Sequence, residues 1–154
     1  MMKKTILTAT LAGLAAIAIS QQAFADDRAG NLSIKEAMKP TLVQKAKLGD
    51  SVSFYFGSQS HPAVTKKLGS AIALQNTNAF LKSDFNACSW GFLGALKKLR
   101  NQAEEAGGNA VINIQSYFMT TKNKPMSSTK YVTCAIGAAS ARIVLRGDIV
   151  KLKN

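Results

Sequence analysis

The run SDFNACSWGFLGALKKLRNQAEEAGGNAVINIQSYF, from Ser83 to Phe118, decides the fold. Its apolar positions Phe85, Cys88, Phe92, Leu96, Leu99 and Ala103 recur every three or four residues, the period of a helix with one buried face. Lys97, Lys98, Asn101 and Glu105 occupy the other side. Ser83 and Asp84 can cap the start of this helix, and Gly107-Gly108 stops it. The pattern predicts one long helix. From Asn109 to Phe118 the period changes to two, with Ala110, Ile112 and Ile114 inward and Asn113, Gln115 and Tyr117 outward, which predicts a strand. So short a link between helix and strand makes the two pack antiparallel.

Outward from this core the pattern stays that of strands. Ser51 to Phe56 alternates, with Val52, Phe54 and Phe56 on one face. Gly57 to Pro62 is a turn or loop, a second strand lies near Ser70 to Leu74, and Asn76-Thr77-Asn78 closes it. After a polar loop from Thr120 to Ser128 come a strand over 129–136, a bend at Gly137 to Ser140, and a last strand over 142–152 whose register Gly147-Asp148 interrupts. The expected order is β-β-α-β-β-β. Strands on both sides of a single long helix define an α+β domain, with the helix packed on a mostly antiparallel sheet. We place this domain at 50–154, with 26–49 as a polar lead-in. There Ser33-Ile34-Lys35-Glu36 has capping-box spacing, a short helix over 34–38 stops at Pro40, and Thr41 to Leu48 is either another turn of helix or extended chain.

The first 25 residues read as a leader. Met1-Met2-Lys3-Lys4 is a positive start, Ile6 to Ile19 is apolar, and Ala23-Phe24-Ala25 precedes Asp26-Asp27 as an A-x-A cleavage site. A membrane-spanning helix needs about 18 or more apolar residues, more than this run supplies. Cleavage after Ala25 predicts a periplasmic or secreted product. No cysteine stands directly after that site, so lipid attachment is not indicated, and no second long apolar stretch follows either.

Without Lys3 and Lys4 the 20 basic residues become 18, against 8 acidic ones, a net charge of +10. Outside the cytoplasm that charge points to an anionic envelope component or an envelope protein as partner, ahead of nucleic acid. The plain alternative is a merely soluble surface, because the lysines are spread along the chain. Lys97, Lys98 and Arg100 form the densest group, and with Trp90 they make the expected binding surface.

Cys88 and Cys134 are the only cysteines. Cys88 lies on the helical stripe, and Cys134 alternates with Val132 and Ile136 on a strand face, so both sulfurs point into the same layer. An isolated pair in an oxidising compartment is expected to be a structural disulfide, with metal ligation as the alternative. His61, the single histidine, is the one weak metal-ligand or general-base candidate. No nucleophile or carboxylate is placed by sequence to partner it. Asp84 fits a helix start and Asp148 a turn. No catalytic residue and no cofactor is assigned.

Leu68-Gly69-Ser70, the long helix, Gly107-Gly108-Asn109-Ala110-Val111-Ile112 and the closing strands together resemble YbjQ-like and RcsF-like α+β domains. Ser53-Phe54-Tyr55-Phe56-Gly57, His61-Pro62-Ala63-Val64, Thr77-Asn78-Ala79-Phe80 and Asn109-Ala110-Val111 are similar to small exported bacterial proteins that often carry the label "excinuclease ATPase subunit". That label implies a G-x-x-x-x-G-K-[ST] phosphate loop, and no segment here matches one. The YbjQ resemblance implies heavy-metal binding and assembly into homo-oligomeric rings, although one histidine and two cysteines are few ligands. The RcsF resemblance implies an envelope sensor acting through protein contacts. The expected function is a non-catalytic envelope binding or interaction module, and the alternative is a small metal-dependent or hydrolytic enzyme using His61.

Overall fold

Ser83 does cap a long helix: its hydroxyl accepts a hydrogen bond from the Asn86 N–H, one of the amides that a helix start leaves without an internal partner. The computed structural model describes residues 27–154, so the expected leader lies outside the described residues. The elements run β1 (Arg28–Ser33), α1 (Ile34–Ala37), α2 (Pro40–Ala46), β2 (Ser53–Phe56), β3 (Val64–Asn78), α3 (Asp84–Glu105), β4 (Ala110–Tyr117), β5 (Pro125–Met126), β6 (Tyr131–Ile136) and β7 (Ser140–Leu152). The class is α+β, with a curled and mostly antiparallel sheet against α3.

β7 is the hub of the sheet. One of its edges pairs with β3 along the whole strand, from Leu152 opposite Val64 to Ser140 opposite Asn78. The other edge is divided: Ala141–Ile143 pair with β6, and Val144–Val150 pair with β4. β6 in turn carries β1, and β4 carries β5 together with β2, the one parallel partner among the described strands.

The core fills the space between this sheet and α3. Phe92, Leu93, Leu96 and Leu99 of the helix are fully buried, together with Ala71, Ala73, Val111, Ile114, Ile143 and Leu145 of the sheet. Small residues set how closely the layers approach. A Cβ at Gly91 would sit 2.7 Å from Thr77 Oγ1 and 3.3 Å from Ile143 Cγ1, so the helix backbone rests directly on β3 and β7. The core is held covalently as well, by a disulfide between Cys88 and Cys134 with a Cα–Cα distance of 6.0 Å.

Several expectations need correction. The order has three helices and seven strands rather than β-β-α-β-β-β. The stretch expected as a polar lead-in is woven into the domain: β1 pairs residue for residue with β6, and Leu32, Ile34, Ala37 and Leu48 are buried. Strand pairing there rests on backbone hydrogen bonds, which no side-chain pattern advertises. The Ser33 cap on Glu36 N–H is present, and α2 opens with Pro40 at its first turn, where a missing N–H costs nothing.

β3 is three times the length expected, because pairing with β7 extends it through polar residues. Phe85, expected on the buried stripe, is exposed at the helix entrance. The register break expected at Gly147-Asp148 lies instead on β4, between Ile112 and Gln115, where Asn113 takes φ +51°. That bulge divides the expected inward set. Val111 and Ile114 face the main core, while Ala110 and Ile112 join a small cluster on the far face with Val150, Leu152, Tyr55 and Val64.

Candidate functional site

Of the expected surface residues Lys97, Lys98, Arg100 and Trp90, Lys98 and Arg100 turn their side chains to different parts of the fold. Lys98 Nζ donates to the Leu74 carbonyl at 2.7 Å, on the outer edge of β3. Arg100 reaches the opposite way and donates to the carbonyls of Lys47 and Leu48 beyond the end of α2. Both side chains thus serve the fold. Gln102 completes the β3 edge: its Nε2 donates to the Ile72 carbonyl at 2.9 Å and its Oε1 accepts from the Ile72 N–H at 3.4 Å. Open strand edges invite pairing with other chains, and these side chains cover this one. Trp90 is about one-third exposed on the outer side of α3.

His61 lies exposed in the loop ahead of β3. Its Nδ1 is 2.8 Å from the Pro62 carbonyl, and its ring meets Tyr55 edge-on at 5.5 Å. No carboxylate or nucleophile is hydrogen-bonded to it among the described residues, and no group of three or more His, Cys, Asp or Glu gathers there at metal-binding distance. Asp84, at the helix start, pairs with Arg28 of β1. Asp148, on β7, accepts from Asn113 Nδ2 at 3.4 Å and so steadies the β4 bulge. The disulfide accounts for both cysteines.

The sheet gathers a different set of basic residues. β3 and β7 pair so that Lys66 lies directly opposite Lys151; Lys153 follows two positions on, on the same face, while Lys67, opposite Val150, turns to the other face of the same strand end. Lys66 and Lys67 are some 85 positions from Lys151 and Lys153 in sequence, and only the strand register brings them together. The ribbon is pinned on both sides. Thr65 Oγ1 donates to the Lys151 carbonyl at 3.0 Å, and the Lys153 N–H donates to the Ala63 carbonyl at 2.9 Å.

All four lysines are solvent-exposed. The ion pairs among the described residues are Arg28 with Asp84 and Lys39 with Glu36, so none of the four has a carboxylate partner. The nearest acidic residue along the chain is Asp148, three positions before Lys151; it lines a cleft together with Lys67 and accepts from Asn113 Nδ2 rather than from a lysine. Like charges directly opposite each other in a sheet are destabilising. A surface held in that state suits an anion that bridges both strands, through charge-assisted contacts to flexible, rotatable ammonium groups.

The opposite end of the same two strands has another character. There the chain turns from β3 into α3 through Ala79–Ser83, beside the β6–β7 turn, with the Ala79 N–H donating to the Ala139 carbonyl at 3.0 Å. A cleft of about 180 Å³ lies next to this turn, lined by Arg28, Leu32, Asp84, Phe85, Cys88 and Ile136. It is smaller than the roughly 300 Å³ at which pockets for drug-sized ligands begin. No helix among the described residues is long and apolar enough to cross a membrane. Comparison with protein-family models, curated proteins and solved structures returns no match for this chain.

Proposed function

We propose that this chain is a non-catalytic interaction module of the cell envelope, exported by its leader and binding an anionic envelope component through the lysine ribbon at the end of β3 and β7. The observation that carries this reading is the register of Lys66 opposite Lys151, with Lys153 following on the same face, Lys67 on the other face of the same strand end, and no carboxylate paired to any of them among the described residues. The net charge of +10 after leader removal supports the same reading, since it raises the local concentration of any polyanion. So does the resemblance to YbjQ-like and RcsF-like domains, the second of which implies an envelope sensor working by contact. A homo-oligomer would repeat the ribbon and multiply its affinity.

The His61 alternative has no comparable support. General acid–base work needs a partner within hydrogen-bond reach, and the ring's polar neighbour is the Pro62 carbonyl. The reading is tested by passing the chain from Asp26 onward over immobilised lipopolysaccharide at low and high ionic strength. Retention that falls with salt, and falls further in Lys66→Glu and Lys151→Glu, supports it. Retention indifferent to both refutes it.

A further inference from the structure

The turn from β3 into α3 spends exposed apolar surface in an unusual way. Leu81 is 91% exposed, Phe80 63% and Phe85 41%. Leu81 also takes φ +57°, a left-handed conformation that side chains other than glycine adopt with strain. The turn is nevertheless tightly fixed. The Phe80 N–H donates to Asn78 Oδ1 at 2.8 Å, the Lys82 N–H to the Ala79 carbonyl at 3.1 Å, and Ser83 caps the helix. The result is a hydrogen-bonded turn that exposes Phe80 and Leu81, flanked by Lys82, with the half-exposed Phe85 beside it on the wall of the cleft. A glycine at position 81 would relieve the backbone strain, which Leu81 keeps without gaining any burial in return.

The place where the rest of the chain attaches identifies the surface such a tip would meet. Arg28, the first residue of β1, is paired with Asp84 of the same helix start, and Asp27 packs against Gly137 in the adjacent β6–β7 turn. The apolar leader run ending at Ile19 therefore joins the fold at the end that bears the tip. The intervening eight residues reach at most roughly 30 Å when extended. A leader seated in a bilayer would tether the fold at its tip end, within this reach of the bilayer surface. An exposed apolar turn held at that end is placed to enter the acyl–headgroup boundary, where apolar side chains are buried.

We propose that Phe80, Leu81 and Phe85 form a bilayer-contact tip that seats the domain on the membrane interface. The lysine ribbon, roughly 45 Å away at the far end of β3, is then directed outward from the membrane. The charges near the tip are Lys82, the Arg28–Asp84 pair and Asp27, which nearly cancel. Seating is thus driven by apolar contact rather than by headgroup charge. It goes beyond the anion-binding reading; it rests on the leader in that reading but not on the lysine ribbon.

The test is co-sedimentation of the chain from Asp26 onward, which contains every described element and both cysteines, with phosphatidylcholine vesicles at high lipid concentration and two ionic strengths. Wild type is expected to partition onto the vesicles with little salt dependence, and Leu81→Asp and Phe80→Ser to lose about tenfold or more of that partitioning. Leu81→Gly is the folding control: it suits the backbone there, so it is expected to hold or raise the unfolding midpoint while still binding vesicles more weakly. Absence of wild-type binding overturns the proposal, as does equal binding by the tip variants. Loss of binding in Lys66→Glu instead would assign the vesicle contact to the ribbon and not to the tip. A wild-type dimer in light scattering that Leu81→Asp converts to a monomer would make the tip an interface between copies, which also overturns it.

Discussion

Lys66 and Lys151 are direct cross-strand partners in the β3–β7 ribbon, two like charges placed where a sheet prefers opposite ones. Replacing one of them with glutamate creates an opposite-charge pair in the same register. Lys151→Glu is therefore expected to raise stability by about 0.2–1 kcal/mol while weakening retention on an anionic surface. Denaturant unfolding and salt-gradient elution, run on the same preparation, check both halves. A gain in stability with a loss of binding is the mark of a residue kept for its partner rather than for the fold.

The disulfide closes a loop of 46 residues between α3 and β6. In the chain-entropy model its loss costs about 4 kcal/mol, a large part of the stability of a domain of this size. Cys88→Ser with Cys134→Ser, or reduction of the native protein, should lower the denaturant midpoint by that order, as followed by the fluorescence of the single tryptophan, Trp90. An unchanged midpoint would mean that packing of Phe92, Leu96 and Ile143 alone holds helix and sheet together.

Two glycines in α3 separate helix propensity from packing. Glycine to alanine in a helix interior ordinarily stabilises by about 1 kcal/mol. At Gly91 the added methyl meets Thr77 Oγ1 at 2.7 Å and Ile143 Cγ1 at 3.3 Å, both on strands that cannot retreat, so Gly91→Ala is expected to destabilise by about 1–3 kcal/mol. At Gly94 the obstacle is the Gln75 side chain, Cγ at 2.9 Å, whose Nε2 donates to the Asn76 carbonyl and which can move aside only by giving up that hydrogen bond. Gly94→Ala should then cost less than Gly91→Ala without being stabilising. Thermal unfolding of the two variants side by side gives the ranking.

Gln102 holds both backbone groups of Ile72 on the outer edge of β3. Gln102→Ala, combined with Lys98→Ala, removes the cover from that edge and leaves Ile72 and Leu74 beside unpaired N–H and C=O groups. The expected cost in stability is modest, about 1 kcal/mol for each hydrogen-bonding side chain. The expected gain in aggregation rate is the larger effect. Light scattering during mild heating distinguishes this from simple unfolding, since aggregation should begin below the unfolding midpoint.

These relationships explain which parts of the fold were legible in the sequence. The helix from Asp84 to Glu105, its Ser83 cap, and the pairing of Cys88 with Cys134 could be read from period and spacing, because each depends on neighbours within one or two turns or on an isolated pair. β1 could not be read: Arg-Ala-Gly-Asn-Leu-Ser offers one buried apolar side chain, Leu32, and gains its place from backbone bonds to β6. The full length of β3 was hidden for the same reason, since Lys66, Lys67, Gln75 and Asn76 are polar residues carried by pairing with β7. The split faces of β4 followed from a bulge at Asn113, and a period of two cannot foresee one. As for the site, clustering along the chain pointed to Lys97, Lys98 and Arg100, but the side chains of Lys98 and Arg100 serve the β3 edge and the α2 terminus. The lysine ribbon depends on register between distant strands, and no local signal in Lys66-Lys67 or Lys151-Leu152-Lys153 announces it.

The central claim is that the β3–β7 lysine ribbon binds an anionic envelope component, and one measurement addresses it most directly: equilibrium binding of the chain from Asp26 onward to immobilised lipopolysaccharide across a salt series, for wild type and for Lys66→Glu with Lys151→Glu. The account predicts wild-type binding whose affinity falls steeply as ionic strength rises, and a double variant that stays folded but binds at least about tenfold more weakly at low salt. Equal affinities for the two proteins, or binding that ignores salt, would contradict it.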